Sequence, residues 1–139
     1  MQTFLPYTDP KKCAQVLDNK RLGKQRVECV QILNALLIEG KKGWGNHPAV
    51  KMWRGYEAFL CKVYLKEIMD EWIRRGFDNT KCGQHYIKFC NMLGNPIAPN
   101  WLNESLCITH RSRLIQKNKE FYKTKFPDTP DNLEYLWPR

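Results

Sequence analysis

The stretch Asn19-Lys20-Arg21-Leu22-Gly23-Lys24-Gln25-Arg26-Val27-Glu28 sets four cations around one carboxylate. Read as a helix at 100° per residue, Arg21, Lys24, Gln25, Glu28 and Gln31 fall on one side, roughly opposite Val30, Leu33 and Leu37. The polar side is then a basic strip with one acid in it. Such a strip can hold the phosphates on either side of a target nucleotide. A carboxylate repels those phosphates, so its presence there calls for a reason, and two are open. Glu28 is a catalytic acid kept ionised by its cationic neighbours, or the strip is a solvated face with an ordinary Lys24–Glu28 pair worth about 0.3–0.5 kcal/mol. Arg26 projects nearer the apolar side and either bridges helices inside the fold or contacts DNA.

Two further places offer contacts to a nucleic acid. Trp44, after a basic loop, and His47, at a helix start, can stack on a base or touch the backbone; the plainer alternatives are a loop anchor and a helix cap. Thr109-His110-Arg111-Ser112-Arg113 reads as a second phosphate-contacting surface through His110 and Arg111, or as an exposed basic helix face. Cys82-x-x-His85-x4-Cys90 and Cys107-x-x-His110 carry zinc-compatible side chains without the close paired spacing of a zinc finger, so no metal site is expected. No phosphate-cradling glycine loop, nucleotide fingerprint or serine-nucleophile elbow is present, which argues against a nucleotide-dependent enzyme and an α/β hydrolase, and no cofactor is expected.

The elements that must position these residues read as all-α. Few segments alternate with strand period. Residues 1–6 look extended, held by Phe4 and Leu5. Asp9-Pro10 signals a cap and first turn for a short helix to about Leu17. A longer helix is expected from Asn19 to Glu39, stopped by Gly40. Asn46-His47-Pro48 opens a long helix reaching Arg75 and stopping at Gly76, with Val50, Trp53, Tyr56, Leu60, Val63 and Tyr64 on its buried face. A helix over Lys81–Leu93, the Pro96/Pro99 loop, a helix over Glu104 to about Lys117 and an irregular aromatic tail complete the chain. The expectation is one compact domain over residues 1–139, of about four to five helices with an extended N-terminal segment.

Composition narrows the partner. With 42% hydrophobic residues, 139 residues bury one real core but not two. Lys and Arg number 23 against 14 Asp and Glu, a net charge of +9 that suits a polyanion, nucleic acid first. No apolar run approaches the ~20 residues of a spanning helix, and the N-terminus lacks the pattern of a secretory signal; a cytoplasmic location without membrane association is expected. Six scattered cysteines then read as free thiols packed as small hydrophobes.

On Met1 to Pro6, Lys20 to Glu28, Asn46-His47-Pro48-Ala49-Val50-Lys51-Met52-Trp53-Arg54-Gly55-Tyr56-Glu57, Trp72 to Phe77 and His110-Arg111-Ser112-Arg113-Leu114, the sequence resembles the pyrimidine-dimer DNA glycosylases, the phage endonuclease V-like family, and its bacterial and viral branch most closely. The resemblance implies a compact helical enzyme acting on double-stranded DNA with a damaged pyrimidine, with no obligate protein partner. It implies that the chain's α-amine attacks C1′ of the damaged nucleotide, displaces the base and leaves an imine that drives strand cleavage, the AP-lyase step. It also implies that the family's helix carboxylate matches Glu28. α-Amines titrate near ~7.7–8.0 and, unlike lysine, are substantially unprotonated at neutral pH. The phage prototype exposes a threonine after removal of its initiator methionine. Here Gln2 is bulky, and counting back from Leu5 puts Met1 at the nucleophile's position. The alternatives at this stage are a monofunctional glycosylase for another modified pyrimidine and a basic DNA-binding module without chemistry.

Overall fold

A computed structural model describes residues 1–38 and 46–138, and among these there is no strand. The helices are α1 (Pro10–Val16), α2 (Asn19–Leu37), α3 (Pro48–Lys51), α4 (Glu57–Phe59), a π-helical turn at Leu60–Leu65, α5 (Lys66–Arg74), α6 (Thr80–Cys90), α7 (Glu104–Lys117) and α8 (Lys119–Lys125). The all-α expectation holds, with more and shorter helices than the four to five expected.

Local signals explain most of the boundaries. The Asp9 side chain accepts the Lys11 N–H at 3.0 Å with Pro10 in the first helical position, and α1 gives way at Leu17. Asn103 caps α7 by accepting the Leu106 N–H at 3.0 Å. Around α2 pack α5, α6 and the π-helical turn. Leu22, Ile32 and Leu33 of α2 meet Trp53, Leu60, Tyr64, Ile68 and Phe89 in one fully buried core. Buried Glu71 bonds both Arg74 and Arg75, and Arg75 reaches the Ala14 and Gln15 carbonyls, tying the end of α1 to α5.

Three expectations need correction. The single helix from His47 to Arg75 is broken: α3 ends at Lys51, and Gly55 turns the chain with φ of +90° before the helix restarts at Glu57. The restarted helix carries the π-helical turn, a wider coil from which Tyr64 reaches the N-terminal segment. The tail is not wholly irregular, because Asn118 caps α8 through the Phe121 N–H and buries Tyr122 against the Asp18 side chain. The inward face of α2 is rotated from the expected stripe: Leu22, Gln25, Cys29, Ile32 and Leu33 are buried, Val30 and Leu37 are partly buried, and Val27 stays 53% exposed. The expected end of α2 at Glu39 and Gly40 lies outside the described residues.

A Cβ at Gly55 would meet nothing within 4 Å, so the penalty of a substitution is conformational alone. Gly55→Ala should destabilise the fold by about 1–2 kcal/mol, read in a thermal melt as a Tm lowered by roughly 4–8 °C; an unchanged Tm would mean that the break between α3 and α4 does not need the left-handed conformation.

Candidate active site

The N-terminal segment is extended but pairs with no sheet, and side chains from distant elements satisfy its backbone. Gln25 of α2 donates to the Gln2 carbonyl and accepts the Phe4 N–H, each at 3.0 Å. The Tyr135 hydroxyl donates to the Thr3 carbonyl at 2.8 Å, and the Trp53 indole to the Thr3 hydroxyl at 3.1 Å. From the π-helical turn, Tyr64 bonds the Phe4 carbonyl at 2.7 Å. His110 Nδ1 accepts the Leu5 N–H at 3.0 Å, and Arg111 donates to the Pro6 carbonyl at 2.7 Å, both from α7. Thr3, Phe4 and Leu5 are buried while Met1 and Gln2 remain partly open, so the chain emerges from the core with its first residue presented.

Met1, Gln2 and Phe4 line one side of a cleft of about 290 Å³; Lys20, Arg21, Lys24, Gln25 and Glu28 of α2 and Lys117 at the end of α7 line the rest. The volume lies just below the ~300–1,000 Å³ of typical ligand pockets. Glu28 is half-buried, and Gln25 donates to its Oε2 at 2.8 Å. Burial pushes the Glu28 pKa above the usual carboxylate value, outweighing the N-terminal ammonium, the Gln2 N–H, Lys24 and Lys117, which all pull it down. Of the four cations expected around Glu28, Lys24 lowers its pKa as expected, but desolvation reverses the net direction. A carboxyl poised above the ordinary range can take up a proton more readily than a surface glutamate. Beyond Lys24 and Glu28 lies a more apolar groove of about 440 Å³, floored by Gly23, Val27 and Trp72.

The other residues singled out in the sequence divide between the cleft and the interior. Arg21 and Lys24 line the cleft; Arg21 is also paired with Asp18 at 3.1 Å. Gln25 lies at the cleft floor but is only 1% exposed, too buried to grip a phosphate. Arg26 turns away, 4.4 Å over the Trp72 ring and 3.0 Å from Asn79, in the helix-bridging role. His47 caps α3 by accepting the Ala49 N–H, its ring lies edge-on to Trp137, and burial and the N-terminal ammonium both lower its pKa, which keeps it neutral near the amine. Trp44 lies outside the described residues.

The second phosphate surface on α7 does not exist as expected. His110 is fully buried against Tyr135, with ring centroids 4.2 Å apart, and burial pushes its pKa down to about 3. Arg111 is held by the Pro6 carbonyl and by Glu104 at 2.6 Å. Both anchor the N-terminal segment. Among the residues that complete the site, Lys117, Tyr64 and Tyr135 were given no site role in the sequence, where Lys117 was a helix end and the two tyrosines were core and tail aromatics. Among the described residues no group of three His, Cys, Asp or Glu is arranged to hold a metal ion. All six cysteines are free thiols, five of them buried.

A family model described as pyrimidine dimer DNA glycosylase matches residues 1–82. The match spans more than half of the chain and includes the N-terminal segment and all of α2, and the chain belongs to this family: it is a DNA-repair glycosylase, with DNA as its substrate. No curated protein and no solved structure matches it. Lys117, His110, Arg111 and Tyr135 lie beyond the matched stretch, so part of what frames the cleft comes from the region that the family model does not reach.

Two stability outcomes follow from the titrating groups. His110 has its folded pKa pushed from 6.5 to about 3, so its contribution is present above pH 6.5 and lost as pH falls toward 3; in pH-dependent melts, His110→Asn should lower Tm at neutral pH and flatten the acid-side fall, and an unflattened slope would assign that fall to other groups. Glu28 has the opposite sign, since a raised carboxyl pKa penalises the charged form as pH rises. Glu28→Gln should therefore match or exceed the wild-type Tm at neutral pH, with the difference closing as pH drops through the carboxyl's titration range; a lower Tm at neutral pH would contradict the dominance of burial.

Proposed function

We propose that the enzyme excises ultraviolet pyrimidine dimers with the α-amine of Met1 as nucleophile, assisted by Glu28, and then cleaves the strand as an AP lyase. The reading is carried by one observation: Met1, Gln2 and Glu28 line a single cleft, together with Lys20, Arg21, Lys24 and Lys117. The four cations flank the lesion's phosphates, and the cleft takes the sugar. The amine lone pair attacks C1′ as the glycosidic bond breaks and its electrons leave with the base. Ionised Glu28 lends negative charge to the cationic sugar as that bond breaks and then takes the proton that the attacking amine must lose, becoming the neutral acid. Ring opening gives an imine, loss of a C2′ proton expels the 3′ phosphate, and water releases the amine. Met1 and Gln2, presented at the end of a segment whose next residues are fixed, supply a nucleophile that needs little further ordering on binding.

Borohydride should trap a covalent adduct on irradiated duplex DNA, and mass spectrometry should map it to the N-terminal residue. Glu28→Gln should slow base release by about 10²–10⁴-fold while the variant still binds DNA. An adduct on an internal lysine removes Met1 from the mechanism, base release without an adduct or strand cleavage makes the enzyme monofunctional, and full activity in Glu28→Gln removes the acid.

A further inference from the structure

We propose that Gln25 is a positioning residue for the reaction, one whose single amide holds the amine-bearing segment and the Glu28 carboxylate in fixed relation to each other. This rests on the reading of Met1 and Glu28 given above.

The side chain is 1% exposed, and both ends of its amide are used. Nε2 carries two protons and spends one on the Gln2 carbonyl at 3.0 Å and one on Glu28 Oε2 at 2.8 Å. Oε1 accepts the Phe4 N–H at 3.0 Å and lies 2.7 Å from the Tyr64 hydroxyl, whose one proton is shared with the Phe4 carbonyl. Two donors and one two-lone-pair acceptor are the whole capacity of a glutamine amide. Rotating the amide by half a turn would set donors against the Phe4 N–H and an acceptor against both a carbonyl and a carboxylate, so the network admits one orientation. Of the side chains that bond this segment among the described residues, Trp53, Tyr64, His110, Arg111 and Tyr135 fix it to the body of the fold. Gln25 also bonds the carboxylate. Its neighbours in helical register, Arg21 and Lys24, face the cleft as cations and make no such link.

No other side chain of similar shape can do this. Glutamate keeps the acceptors but meets Glu28 with a second carboxylate, and asparagine keeps both polarities but ends one methylene short. A displacement on the scale of 1 Å at a reacting centre is enough to slow chemistry by about 10²-fold. The proposal thus separates rate from binding, since no DNA contact is lost.

The test compares Gln25→Glu, Gln25→Asn and Tyr135→Phe with the wild type on irradiated duplex DNA, following kcat, KM and the pH profile of base release; Glu28→Gln serves as the reference for the parent reading. Tyr135→Phe removes one bond to the same segment without touching Glu28 and controls for a merely structural role. The expected result is that both Gln25 variants lose at least tenfold in kcat with KM within threefold. The acidic limb of Gln25→Glu should also move to higher pH, because a facing carboxylate makes Glu28 harder to ionise, while that limb stays in place in Tyr135→Phe. Gln25→Asn carries the rate comparison if Gln25→Glu does not fold. Wild-type kcat in the Gln25 variants, or an equal loss in Tyr135→Phe with the same pH profile, overturns the proposal. If Glu28→Gln keeps its activity, the parent reading has failed instead; if Glu28→Gln is inactive and the Gln25 variants are not, only the role of Gln25 has.

Discussion

An extended segment with no strand beside it has to find a partner for each buried N–H and C=O, and in residues 2–6 of this protein side chains meet that demand. Gln25, Tyr64, His110, Arg111 and Tyr135 each take one or more of those groups, and they come from α2, the π-helical turn, α7 and the tail. Much of the architecture follows. The π-helical turn carries Tyr64 inward, the aromatic stack of His110 on Tyr135 sits under the segment, and Trp53 lies against Thr3. A helix at the N-terminus would have bonded itself but turned the first residue with its own register; an extended segment lets the body of the fold aim it.

Charge at the site is balanced in the same constrained space. Glu28 stands among cations that favour its ionised form and in a half-buried setting that opposes it, and burial wins. A carboxylate held in this way lowers stability as it ionises. The cations remain at the rim, where water and a polyanion can both reach them.

Local signals made α1 and α7 legible in the sequence: Asp9-Pro10 and Asn103 act within a few residues of themselves. The basic strip with its lone acid was legible too, and Arg21, Lys24 and Glu28 do share a cleft. What misled was polarity used inward. Gln25, His110 and Arg111 looked like surface groups because their partners in the N-terminal segment lie 21 to 105 residues away and leave no mark in local spacing. The break at Gly55 was hidden by apolar residues that keep helical spacing across it, and the register of α2 slipped because a fully bonded glutamine can occupy a position that a hydrophobic stripe assigns to an aliphatic side chain. Lys117 reaches the cleft only through the packing of α7, which no periodicity reveals.

The bond from the Tyr135 hydroxyl to the Thr3 carbonyl joins positions 132 residues apart. Synthesis delivers Thr3 well before Tyr135, since proteins emerge N-terminus first. Long-range closure of this kind is paid late in folding. A nascent or half-folded chain therefore holds this segment without the partners that fix it, and the cleft of the glycosylase is complete only once residues from distant parts of the sequence have met.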